Sequence, residues 1–249
     1  MSRIALPTAL TALIIAAGTA RAEGDAKAII AKAIQARGGA DAIEKNKGIT
    51  YKFKGKFHGQ GLEADMTGTF RVMQPDRQRT EASLDASGQA ISYLLIYDGK
   101  KGWISINGNP EEMSNDQMTE AKEQVHLENV TDLRGLSGEG VTLTSLGESK
   151  VDGKTALGVK VAAKGFRDVS LFFDKDTGLL LKSETKGKDA ASGDEYKGVI
   201  SYSDHKKVGD LTLPHKRAER RNDQAFMEME FSAITPAEKL EDKDFAKPQ

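Results

Sequence analysis

Long stretches of this chain alternate between apolar and polar residues with a period of two, the pattern of strands that bury one face and wet the other. From Ile49 to His58 one face carries Ile49, Tyr51, Phe53, Gly55 and Phe57, and the other carries Thr50, Lys52, Lys54, Lys56 and His58. Leu62–Met73 answers it, with Leu62, Ala64, Met66, Gly68, Phe70 and Val72 opposite Glu63, Asp65, Thr67, Thr69 and Arg71. Arg77–Leu84 gives a third, more polar strand. Ile91–Ile106 then reads as a β-hairpin around Asp98-Gly99 and Gly102. Its first arm is apolar on both faces, Ile91/Tyr93/Leu95/Tyr97 on one and Ala90/Leu94/Ile96 on the other, which predicts a mid-sheet strand with cover on both sides. Seven more strands are predicted at Val141–Glu148, Ala156–Ala163, Val169–Phe173, Leu179–Thr185, Tyr196–Ser203, Leu211–Arg217 and Phe226–Phe231. The turns between them are marked by Asp152-Gly153, Asp174–Gly178 and Val208-Gly209-Asp210.

Helical spacing is confined to a few places. Asp25 caps a helix through about Arg37, with Ala26, Ile29, Ile30, Ala33 and Ile34 on one face, stopped by Gly38-Gly39 and followed by a short turn at Ala40–Lys45. Pro110–Ser114 starts a second long helix, with Ser114 as cap and Asn115–Leu127 as its body, and Met118, Ala121, Val125 and Leu127 on one side. Glu128–Gly140 has no clear period and reads as a loop, as does Lys186–Asp194. The tail from Leu240 to Gln249 offers Leu240 and Phe245 for packing. No linker composition interrupts the chain, so residues 23–249 are expected to form one domain.

The N-terminus is a different kind of sequence. Arg3, a fourteen-residue apolar run from Ile4 to Ala17 and the small-x-small Ala20-Arg21-Ala22 predict a cleavable signal peptide over residues 1–22. The chain has no cysteine, which excludes disulfides and a lipid anchor on an N-terminal Cys. A soluble periplasmic protein is expected, with secretion as the lesser option. Without Arg3 and Arg21, 34 basic residues face 37 acidic ones, a formal charge of −3 that argues against a polyanion binder.

Catalytic and metal motifs are scarce. There is no Cys nucleophile, no Gly-x-Ser-x-Gly elbow and no His-Glu-x-x-His, and His58, His126, His205 and His215 are far apart in sequence. Gly135–Gly140 lacks the strand, helix and Lys of a phosphate loop. Asp174-x-Asp176-x-Gly178 starts like a calcium loop, but its twelfth position is Thr185, so a plain hairpin turn is the reading. The basic run His215–Arg221 has no interleaved aromatics and reads as a solvated strand face, with an anionic head group or acidic partner as a second reading. What stands out is distributed: Phe53, Phe57, Met66, Phe70, Tyr93, Leu95, Tyr97, Trp103, Met118, Met227, Met229 and Phe231 are candidate lining for an apolar cavity in a curved sheet. Tyr97 and Trp103 are the first candidates among them.

Several stretches together resemble a known family: Arg37-Gly38-Gly39 with Ala40–Ile43, Tyr97–Trp103 leading into the Met/Glu helix, Phe173–Lys182, Tyr202–Lys216 and the closing Asp242–Pro248. This pattern is similar to the outer-membrane lipoprotein-sorting carriers, the LolA/LolB-like superfamily. The resemblance implies an α+β fold: a strongly curved antiparallel β-sheet, an incomplete barrel of about 10–11 strands, with helices covering its concave side. It implies a non-enzymatic carrier of lipoprotein acyl chains or another hydrophobic ligand, without a cofactor. The partners implied are a lipid or an acylated protein, with peripheral membrane contact and no nucleic acid, and the state implied is a monomer. An envelope sensor binding a regulatory protein is the alternative, and a hydrolase with an unrecognised site a remote one. The carriers also latch a helical lid with an inward arginine, which cannot be assigned among Arg71, Arg77 and Arg79 from sequence.

Overall fold

The computed structural model describes residues 25–59, 61–189 and 192–248, so the expected signal peptide lies outside the described residues. Helix α1 spans residues 25–37, α2 Ala40–Lys45 and α3 Asn115–Thr131. The strands are β1 (Gly48–Phe57), β2 (Ala64–Met73), β3 (Arg77–Ala86), β4 (Gln89–Tyr97), β5 (Gly102–Ile106), β6 (Asn109–Glu112), β7 (Val141–Val151), β8 (Lys154–Ala163), β9 (Val169–Asp174), β10 (Leu180–Lys188), β11 (Glu195–Val208), β12 (Leu211–Arg221) and β13 (Gln224–Ala237). All thirteen form one curved sheet in the order β6-β5-β4-β3-β2-β1-β13-β12-β11-β10-β9-β8-β7. Neighbours are antiparallel throughout, and the sheet does not close on itself.

This topology puts the first and last strands at the centre of the sheet, where β1 pairs with β13 from Gly48↔Ala237 to Phe57↔Met227. The middle of the chain joins the two free edges, β6 and β7, through α3. Both edges are defended against further pairing. In β6 the exposed run Asn109-Pro110-Glu111-Glu112 offers a proline and two charges, and β7 carries a bulge between Ser145 and Gly147. The main core lies on the concave side. There Ala26, Ile30 and Ala33 of α1, Ile43 of α2 and Leu127 and Val130 of α3 pack on Tyr51, Phe53, Val159, Val161, Val169, Leu171, Phe173, Leu211, Leu213 and Phe231.

Three expectations are corrected. Among the described residues the strand count is thirteen, not ten or eleven. Asn109–Glu112 is a strand paired to β5 from Trp103↔Glu112 to Ile106↔Asn109, whereas Pro110–Met113 was expected to begin a helix. The helix starts after Ser114, whose side chain accepts from Gln117 N–H while the Gln117 side chain accepts from Ser114 N–H, a complete capping box. That helix continues through Thr131, so the expected loop begins only at Asp132. At Asp174 the carboxylate accepts the N–H of Asp176 at 3.0 Å and of Thr177 at 2.9 Å, the geometry of a turn.

The β4–β5 hairpin is covered on both faces, as its two-sided apolarity requires. On the concave side Leu95, Tyr97 and Ile104 meet Met113, Met118, Ala121 and Val125. On the convex side Leu94, Ile96 and Trp103 pack with Met73 under Leu240 and Phe245 of the C-terminal tail. Arg77 pins that tail: its guanidinium lies 5.0 Å from the Phe245 ring centroid and donates to Asp242 at 2.8 Å. Phe245→Ala is therefore expected to lower unfolding free energy by about 3–5 kcal/mol and to red-shift the emission of Trp103, the sole tryptophan. Urea titration followed by that emission checks it; unchanged stability and emission would contradict the packing role.

Candidate functional site

The concave interior has two walls of different chemistry. One is built from the inward positions of β1–β5 and β13. Register places Phe53 beside Gly68 and Phe231, Phe57 beside Ala64 and Met227, and Gly55 between Met66 and Met229. It continues outward through Ala82↔Tyr93 and Thr80↔Leu95 to Tyr93↔Ile106 and Leu95↔Ile104. Phe53, Met66, Tyr97 and Phe231 are buried, while Phe57, Phe70, Tyr93, Leu95, Met118, Met227 and Met229 are half-buried. Ile106, at the mouth, is 53% exposed. Burial of the Tyr93 phenol pushes it up to about 12, although part of the residue still reaches solvent.

Eleven of the twelve candidate residues thus stand on α3 or the inward face. Trp103 does not, because it pairs with Ile96 and shares its convex side under Phe245. The hairpin pairing, Ile96↔Trp103 and Tyr97↔Gly102, puts Tyr97 and Trp103 on opposite faces.

The opposite wall, β9–β12, carries charge inward. Arg217 of β12 is 6% exposed, and its Nη1 donates to both carboxylate oxygens of Glu128 on α3, at 2.9 and 3.1 Å. The rings of Tyr51, Tyr202 and Phe231 surround the guanidinium at 5.3, 5.6 and 5.4 Å. Burial raises the Glu128 carboxyl above the usual carboxylate range despite the pull of Arg217. Burial also works against the Arg217 charge, but Glu128, Tyr51, Tyr202 and Asp132 outweigh it and hold the guanidinium above its ordinary value. Arg217 is accordingly the fixed charge of the pair.

Arg37, at the end of α1, pairs with Asp132 just past α3. Arg37, Asp132, Thr131, Tyr202, His205 and Arg217 surround a cavity of about 20 Å³, room for about one water. Burial, with Arg37 and Lys154 adding like charge, pushes the His205 imidazole down to about 4. Nearer the mouth, Arg167 donates to Glu120 of α3 through Nη1 at 2.7 Å, and Lys188 N–H donates to the same carboxylate at 3.2 Å. Arg221 stacks between Tyr196 and Phe226, at 4.2 and 3.4 Å from the ring centroids, and donates to Glu219 at 2.7 Å.

Arg71, Arg77 and Arg79 all lie on the convex side, on Glu81, Asp242 and the C-terminal tail. Arg217 of β12, by contrast, is buried on the inward side, and its signal was present in the sequence: it shares parity with the buried Leu211 and Leu213 on one strand. Glu128 fell in the expected loop and escaped notice. Among the described residues no three His, Cys, Asp or Glu side chains form a metal-binding group. The arrangement offers apolar surface and a charged clamp on a helix.

Two predictions follow from the clamp. Arg217→Ala leaves a buried Glu128 without its partner and is expected to cost about 3–5 kcal/mol, whereas Arg217→Met with Glu128→Leu recovers most of it; urea unfolding of the two variants compares them. His205 has its ordinary value of 6.5 in the unfolded chain and about 4 in the fold. The unfolded chain therefore takes up a proton first as pH falls, so stability is lost between about 6.5 and 4 and the loss levels off below. In His205→Gln the urea midpoint is expected to fall less across that window than in the parent.

No protein-family model and no curated protein sequence matches the chain. Solved structures do. A domain from Vibrio parahaemolyticus assigned to outer membrane lipoprotein-sorting proteins aligns with TM-score 0.58 and 13% identity over 90% of this chain and 97% of that one. A DUF1329 family protein from Desulfovibrio piger aligns with TM-score 0.57 and 14% identity over 89% and 97%. A LolA superfamily protein from Nitrosomonas europaea aligns with TM-score 0.53 and 14% identity over 89% and 97%. At such identities the likeness is one of architecture, and the chain has the fold of the LolA-like lipoprotein-sorting proteins.

Proposed function

We propose that the protein is a non-catalytic, periplasmic binder or carrier of a hydrophobic ligand, in the first instance the acyl chain of a lipid or acylated protein. The observation that carries this reading is the half-buried wall of Phe57, Phe70, Tyr93, Leu95, Met227 and Met229, apolar surface that faces inward and is not fully covered by the helices. Covering such surface with hydrocarbon is favourable by about 25 cal/mol per Å² removed from water. The methionines adapt to chains of different length and shape. The LolA-like architecture supports the same reading, and the Arg217–Glu128 clamp is compatible with the inward arginine latch that the sequence resemblance implies.

Residues 23–249, freed of bound lipid, are expected to enhance the fluorescence of 11-(dansylamino)undecanoate saturably, and oleate is expected to displace it. Phe57→Asp at the mouth should weaken that binding at least tenfold while leaving the far-ultraviolet circular dichroism unchanged. Absence of saturable enhancement by the folded parent protein contradicts the proposal.

A further inference from the structure

Three arginines converge near the end of α3, and each has one donor to spare. Arg217 gives Nη1 to Glu128, Arg37 gives Nη2 to Asp132, and Arg134 gives Nη2 to Asn46 O at 2.6 Å. The Nε–H of all three is buried and has no hydrogen-bond partner among the described residues. Leaving a charged donor unmatched in such a place is costly. Arg37 and Arg217 both line the cavity of about 20 Å³, together with Thr131, Asp132, Tyr202 and His205. Arg217 is 6% exposed, so its spare Nε–H has that cavity and not bulk solvent in which to find an acceptor.

The charges around the cavity do not balance. Arg37, Arg134 and Arg217 face two carboxylates, Asp132 and Glu128. The other charged groups that reach the cluster cancel in pairs: Glu44 with Lys47 at 2.9 Å, Asp174 with Lys154 at 3.5 Å and Asp204 with Lys206 at 2.8 Å. His205, pushed down to about 4 by burial and by the like charge of Arg37 and Lys154, is neutral at pH 7. Three guanidinium groups against two carboxylates leave one positive charge over, in a part of the molecule where an uncompensated charge is destabilising.

From the spare donors and the excess charge together, we infer that this cavity binds one small monovalent anion of the halide class, held between the Nε–H groups of Arg37 and Arg217. The site is separate from the open apolar wall and does not depend on what that wall takes up. A halide accepts from both donors, needs no donor in return and supplies the missing negative charge. A water in the same place accepts the hydrogen bonds but leaves the charge uncompensated. Space for about one water excludes sulfate, phosphate and the carboxylate of a fatty acid. Asp132 also stands on the cavity wall, but it is already matched by Arg37, as Glu128 is by Arg217. An ion so placed joins the end of α1 to β12.

Bromide and chloride are the probes. A crystal of the protein soaked in bromide is expected to show an anomalous-scattering peak within hydrogen-bonding reach of both Nε atoms. In solution, chloride is raised from about 1 to about 100 mM, with gluconate holding the ionic strength constant. The unfolding equilibrium constant in urea is expected to fall at least about threefold, because the folded state alone holds the ion. In Arg217→Met/Glu128→Leu, which replaces the pair by apolar side chains and removes one donor, that chloride dependence is expected to vanish. Arg37→Lys keeps a charge opposite Asp132 without the Nε–H and is expected to weaken it. A bromide-soaked crystal whose cavity holds a water and no anomalous peak overturns the site. So does an unfolding constant indifferent to chloride, or an equal chloride dependence in the parent and the double variant.

Discussion

An antiparallel sheet that rolls up without closing leaves an interior that another element must fill, and here one helix is held between walls that demand opposite chemistry. Toward β4 and β5, α3 presents Met118, Ala121 and Val125; toward β9–β12 it presents Glu120 and Glu128 to Arg167 and Arg217. The buried Arg217–Glu128 pair is the interaction on which the arrangement turns. Apolar contacts tolerate sliding, whereas a guanidinium held by one carboxylate among three aromatic rings has one good position. It therefore specifies where α3 lies, whatever its net contribution to stability.

The chain path reinforces this. Most connections in the sheet are short turns between neighbours, and the link from β6 to β7 is the exception that runs through the interior. Within that link, just past α3, the chain is tied to α1 by Arg37–Asp132 and to the segment before β1 by Arg134, which donates to Asn46 O at 2.6 Å. The C-terminal tail does the corresponding work outside, closing the convex face of β3–β5 over Ile96 and Trp103. A hairpin apolar on both faces is therefore stable at one end of an open sheet, with a helix inside and a tail outside.

Much of this was legible in the sequence, because period-two alternation gives each strand an inside and an outside before any pairing is known. Tyr51, Phe53, Met66, Met229 and Phe231 were placed on the inward side by parity alone. What parity cannot supply is pairing. The polar Asn109–Glu112 becomes a strand only because β5 stands beside it, and Trp103 separates from Tyr97 only once Ile96↔Trp103 is known. The second half of α3 was hidden for a different reason: a helix gripped from two sides carries apolar residues on two faces and has no single stripe to recognise. Glu128, a charge at a buried helical position, lay in that unread stretch.

The central claim is that the concave interior holds hydrocarbon, and its most direct test is native mass spectrometry of the protein recovered from a cell envelope without detergent. Expressed with its own N-terminal segment, it is predicted to carry added mass that disappears on solvent extraction and is recovered as acylated species. A spectrum showing the bare polypeptide alone, from protein shown to be folded by its Trp103 emission, would contradict the claim.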